Sequence, residues 1–217
     1  MIAAPKKSEI DHHTIKLIVG VIAISLASVT SFFSTSTSPL TSISESYYAG
    51  DVSRNLFVGF LFAITAFLLA YNGLSRRDMI LSKVAALAAF GVAMFPCGCD
   101  GQGRDRLISS VHSAAAVTMF LILAYFCYTF WERARTKPHT QAKLRVGIYA
   151  LCGIAMLLSI IVLVMDALAQ YANPSRISDL KFYGEAAGLI AFGISWLTAS
   201  RILPVLTHPD ERLSLFA

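Results

Sequence analysis

Three ionisable side chains, His112, Asp166 and Glu185, stand inside stretches that are otherwise free of charge. In an apolar solvent such groups are costly, and they mark a functional site by default. His112 lies early in the fourth apolar stretch, Glu185 early in the sixth, and Asp166 near the end of the fifth. At ~1.5 Å of helix per residue, all three fall about 4–8 Å below one boundary, on one side. They are the expected catalytic residues.

Their chemistry reads in two ways. An imidazole beside carboxylates can do general acid–base work on an ester, or pass a proton along a transport path. A metal centre is the other reading. His112 and Glu185 with Asp100, supplemented from Glu45 or Asp166, supply the nitrogen and oxygen ligands that a divalent metal such as zinc accepts, with a position left for water. No His-Glu-x-x-His or His-x-x-x-His spacing accompanies them, and only one of the five His lies within an apolar stretch. Multi-His zinc hydrolases and bis-His cytochromes are therefore disfavoured.

The segment before the second apolar stretch adds Glu45, Tyr47, Tyr48, Asp51, Arg54 and Asn55 on the same side, as expected substrate-binding residues. Asp100 and Asp105 follow the third stretch there. At the other boundary Arg76, Arg77, Asp78, Glu132 and Arg133 read as ordinary caps, so no comparable cluster is expected. The asymmetry points to one pocket opening to one side. The plain alternative is that Arg54 and Arg106 merely neutralise these acids.

Cys97 and Cys99 share that side in Pro96-Cys97-Gly98-Cys99, where a labile bridge can form, while Cys127 and Cys152 read as small apolar residues. A thiol oxidase needs paired cysteines in two loops, and one pair is present. Neither a Gly-x-Ser-x-Gly elbow nor a phosphate-binding glycine loop occurs.

The elements that must position these groups follow from composition. Of 217 residues 56% are apolar and 14% charged, with a mean hydropathy of +0.64, whereas soluble domains are about a quarter charged. Six apolar stretches approach the roughly 17–25 residues that a helix needs to cross a bilayer. Lone strands would leave their backbone unsatisfied there. The expectation is an all-α, six-span bundle forming a single domain over 1–217, with helices near 15–34, 55–75, 79–99, 107–131, 146–169 and 182–203. The first is read as an uncleaved span and not as a signal peptide.

Thirteen of the 18 Lys and Arg fall on one side if the N-terminus is cytoplasmic. This places both termini inside and the pocket outside; the bacterial inner membrane is what the resemblance given below implies. The net charge of +5 is then topology; it points to anionic headgroups as partners and away from nucleic acid. Gly184-x-x-x-Gly188, with Ala85, Ala89, Ala93 and Ala114–Ala116, allows close helix contact inside one bundle, or alternatively a homo-oligomer face.

Several runs resemble an uncharacterised bacterial six-helix membrane family. They are Ser42-Ile43-Ser44-Glu45-Ser46-Tyr47-Tyr48, Leu56-Phe57-Val58-Gly59, Leu68-Leu69-Ala70-Tyr71 with Gly73, Phe90 to Pro96, His112 with Ala114–Ala116, Leu123-Ala124-Tyr125-Phe126, Arg145, Tyr149, Cys152-Gly153, and Glu185 with Phe192-Gly193-Ile194-Ser195-Trp196. The family is distantly similar to the Frag/DRAM/Sfk membrane proteins, some of which act in lipid remodelling. The resemblance implies a membrane protein and no settled activity. Family members often carry Arg-Asp where this chain has Arg54-Asn55.

The resulting expectation is a pocket lined by His112, Glu185 and Asp166 and lidded by Ser42–Asn55. It binds a membrane lipid or other amphiphile and hydrolyses or remodels it. A small proton- or cation-coupled transporter and a non-catalytic membrane subunit are the rival classes.

Overall fold

The structure, a computed structural model, describes residues 11–35, 39–98, 106–173 and 179–211. The described chain is all-α. Its six helices are α1 (His12–Phe32), α2 (Asp51–Ala70), α3 (Arg76–Met94), α4 (Arg106–Arg135), α5 (Thr140–Ala172) and α6 (Leu180–Ala199), and short 3₁₀ turns include Ser44–Tyr47 and Pro209–Glu211.

Capping sets several boundaries. The Asp11 carboxylate accepts the His13 and Thr14 backbone N–H groups at 3.2 and 3.1 Å and starts α1. Ser75 does the same for Asp78 at 3.1 Å, so Arg76, Arg77 and Asp78 form the first turn of α3. Asp51, Arg54 and Asn55 likewise belong to the start of α2 and not to the loop before it. At the polar ends α4 runs to Arg135 and α5 begins at Thr140, both longer than their apolar stretches.

By length and composition α1, α2, α4 and α5 are apolar enough to cross a membrane. The six-span expectation is thus met on that combined measure by four helices. Of the other two, α3 carries Arg76, Arg77, Asp78 and Lys83 and is rich in Ala, and α6 carries Lys181 and Glu185 among Gly and Ser. Small residues lower hydropathy while allowing close packing. The outer face of α5 leaves Leu151, Ile154, Leu158, Ile161 and Met165 exposed, more contiguous apolar surface than a water-facing helix keeps.

Each helix packs against its neighbours in sequence, α6 closes back onto α1, and α4 also meets α6. The result is a closed ring of six. At the α1–α6 seam a Cβ on Gly20 would lie 2.9 Å from the Gly193 carbonyl oxygen, so only glycine permits this approach. Gly184 and Gly188 face Leu163 of α5 and Phe120 of α4, and Ser159 donates to the Gly184 carbonyl at 2.6 Å. The small-residue motif therefore packs within the bundle. A fully buried aromatic layer, Tyr71, Phe126, Phe192 and Trp196, fills its middle, with Trp196 centred 5.2, 5.8 and 5.1 Å from the other three rings.

Candidate functional site

His112, Asp166 and Glu185 come from α4, α5 and α6 and line one cavity of about 270 Å³. Its walls are apolar, with Leu26, Leu61, Val92, Phe120, Ile160 and Leu163 among them. Ser44, Ser109, Ser113 and Lys181 join the three ionisable groups as its polar residues. The juxtaposition expected from helix depth is thus what the fold produces.

The backbone of the loop before α2 is held by Glu185. Its Oε2 accepts the Ile43 N–H at 2.6 Å and the Ser44 N–H at 3.3 Å, and Oε1 lies 3.4 Å from the Ser44 hydroxyl. These N–H groups open the 3₁₀ turn and have no partner within it, so a carboxylate from a distant helix caps them. The Phe182 N–H donates to the Thr41 carbonyl at 2.9 Å and ties the same loop to the start of α6.

His112 is buried and fixed at both ring nitrogens. Nδ1 lies 2.6 Å from the carbonyl oxygen of Phe95, at the end of α3. A carbonyl only accepts, so Nδ1 carries the proton. In the neutral ring Nε2 is then an acceptor, and it lies 3.1 Å from Ser44 Oγ. A hydroxyl, an imidazole and an orienting acceptor stand in one line: the arrangement that activates a serine oxygen as a nucleophile. Ser44 has one proton to give, and both His112 Nε2 and Glu185 Oε1 can receive it.

Asp166 is buried, and its Oδ1 has no hydrogen-bond partner. A buried acceptor left unmatched costs its full desolvation. Because Asp166 lines the cavity, a ligand bearing a hydrogen-bond donor or a positive charge satisfies it.

The expected substrate-binding residues are placed elsewhere. Glu45 turns back on its own loop, accepting from the Thr41 N–H and hydroxyl at 2.6 and 2.8 Å. Tyr48 donates its hydroxyl to the Cys97 carbonyl at 2.8 Å and stacks edge-on with Tyr47. Asp51 and Arg54 pair with each other at 2.9 Å on the surface, and Asn55 is exposed. None of the six lines the cavity; Glu45 and Tyr48 hold the loop that presents Ser44.

Asp100, Asp105 and Cys99 lie outside the described residues. Among those described, no group of three His, Cys, Asp or Glu is arranged to hold a metal ion. Cys97 is disulfide-bonded, and Cys127 and Cys152 are buried thiols. Ser44 is not distinguishable in the sequence as an individual site residue, because a serine in a Ser/Thr-rich loop is unremarkable; only the run Ser42 to Tyr48 as a whole points to it.

At the opposite end of the bundle the expectation of simple boundary caps is corrected. Lys16 of α1 and Arg145 of α5 are buried there, among residues of α4 and the end of α6. Comparison with known protein families, with curated proteins and with solved structures finds no match to this chain.

Proposed function

We propose that this chain is a multi-pass membrane protein that admits one amphiphile to the cavity and hydrolyses an acyl ester at its polar end. The observation that carries the reading is the Ser44–His112 hydrogen bond at the polar end of an otherwise apolar cavity. Apolar walls suit an acyl chain, and a few convergent polar groups suit its head. On this reading both termini are cytoplasmic and the cavity lies under the outer leaflet of a bacterial inner membrane, an orientation that the basic residues at the other end of the bundle support.

Ser44 Oγ attacks the ester carbonyl carbon while His112 Nε2 takes the hydroxyl proton. The tetrahedral adduct collapses, the carbon–oxygen bond to the alcohol breaks, and His112 returns the proton to the leaving oxygen. Water then attacks the acyl-serine with His112 again as base, releasing the carboxylic acid and restoring Ser44. Lys181, on the cavity wall, supplies positive charge near the developing oxyanion. Glu185 is a positioning residue, since it holds the backbone of Ile43 and Ser44. Asp166 binds a donor on the head.

The aromatic layer supports binding over conduction. Phe126, Phe192 and Trp196 are fully buried within the ring of helices and fill it with aromatic rings.

The test is ester hydrolysis by the full chain in detergent, comparing p-nitrophenyl octanoate with p-nitrophenyl acetate. The expected result is a preference for the longer chain, abolished by Ser44→Ala. Equal rates for wild type and Ser44→Ala would overturn the reading.

A further inference from the structure

The second cavity, at the end of the bundle remote from Ser44, has a volume of about 60 Å³. Five cations line it: Lys16 from α1, Arg133 and Lys137 from α4, Arg145 from α5, and Arg201 just after α6. Two carboxylates answer them. Asp78 pairs with Arg133, and Glu211 bridges Lys137 and Arg145, with Arg145 Nη2 at 3.0 Å from its Oε2. Among the described residues three positive charges are left over around this small cavity. That is more than solvent-exposed capping requires.

Three details indicate that the excess is directed at a ligand. Arg145 is 4% exposed, and its Nη1 is buried with no hydrogen-bond partner. Unmatched guanidinium N–H groups in such a setting call for an acceptor. Lys16 is 7% exposed and forms no ion pair among the described residues; its Nζ sits 5.6 and 5.3 Å from the centres of the Tyr71 and Phe130 rings. Two aromatic faces only partly compensate a desolvated ammonium. Arg201 adopts a left-handed backbone, φ 61°, immediately past the Ser200 cap of α6. Glycine is the residue that fits this position without strain. An arginine there puts a guanidinium on the cavity wall at a backbone cost.

We propose that this cavity binds a phosphate group, either free phosphate or the headgroup of an anionic phospholipid. Guanidinium forks match the oxygens of phosphate two at a time, and a lysine adds a point charge. Basic pockets between membrane helices hold anionic headgroups by the same chemistry. The site is independent of the Ser44 chemistry and does not require it.

The experiment follows thermal unfolding of the detergent-solubilised full chain with inorganic phosphate, against sodium chloride at equal ionic strength, and with phosphatidylglycerol against phosphatidylcholine. Expected is a rise in Tm of about 3 °C or more with phosphate or with phosphatidylglycerol, as for any ligand that binds only the folded state. A response to inorganic phosphate assigns the free ion; a response confined to phosphatidylglycerol assigns the lipid headgroup. In both cases Arg145→Gln and Arg201→Gly lose the rise. Arg201→Gly also guards against misfolding, because glycine relieves the left-handed backbone and its ligand-free Tm is expected to equal or exceed wild type. No rise with either probe, or a rise of the same size in Arg201→Gly, would overturn the proposal.

Discussion

His112 and Ser44 are 68 positions apart in the chain, yet Nε2 of one lies 3.1 Å from Oγ of the other. The contact exists because two other groups each hold one partner. The Phe95 carbonyl sets the imidazole by its Nδ1–H, and Glu185 sets the loop by its hold on the Ile43 and Ser44 backbone. The two residues are expected to act as a unit. Ser44→Ala and His112→Gln should each lower octanoate ester hydrolysis by about 10²-fold or more, and the double variant should lose little beyond either single one. Initial rates of the three proteins check this.

Glu185 is expected to matter for the loop before it matters for chemistry. Its carboxylate accepts two backbone N–H groups, and hydrogen bonds to a charged group are worth roughly 1.5–3 kcal/mol. Glu185→Ala should therefore lower stability by about that amount and expose the segment around residues 40–48 to protease. Glu185→Gln keeps an acceptor for the Ile43 N–H and should retain most of the protection. Limited proteolysis with mass mapping reads both.

Two glycines on neighbouring helices should respond oppositely to alanine. A Cβ on Gly188 meets the Phe120 ring and Ser159 Oγ, and overpacking of this kind costs about 1–3 kcal/mol. Gly147 has nothing within 4 Å of the same position, so alanine there should gain up to about 1 kcal/mol of helix propensity. Thermal unfolding should show Gly188→Ala below wild type and Gly147→Ala at or above it.

The C-terminal 3₁₀ turn should release only in strong acid. Burial works against the charge on Glu211, but hydrogen bonds from Lys137 and Arg145, with the Arg201 charge, outweigh it and hold the carboxyl at about 2. An unfolded glutamate titrates near about 4.3. Because the folded value is the lower one, the contribution is complete above about 4.3 and disappears as pH falls through about 2. Hydrogen exchange at residues 204–211 should stay slow through pH 4 and quicken on approach to pH 2. In Glu211→Gln it should be fast throughout.

The sequence carried the position of the main cavity better than its contents. In-span ionisable residues are rare enough that depth alone aligned His112, Asp166 and Glu185, and all three line the cavity. Glu45 and Ser44 show where that reasoning stops. The 3₁₀ turn carries Glu45 back onto Thr41 and leaves its neighbour facing the imidazole, a rotation that a loop of serines and threonines does not announce. Lys16 and Arg145 were hidden for another reason. Each sits at the edge of an apolar stretch, where a charge normally meets water, and it is the packing of α4 and the end of α6 around it that buries it. Helix existence follows from hydropathy, while helix ends are set by local caps such as Asp11 and Ser75.

Covalent labelling tests the role of Ser44 most directly. An alkyl fluorophosphonate carries the long chain that the cavity accepts and a phosphorus centre that reacts with activated serine. The purified full chain should take up one label, mapped by peptide mass spectrometry to Ser44. Labelling should vanish in Ser44→Ala and fall at least about tenfold in His112→Gln. A label found on another residue, or uptake unchanged in His112→Gln, would contradict the assignment of Ser44 as the nucleophile.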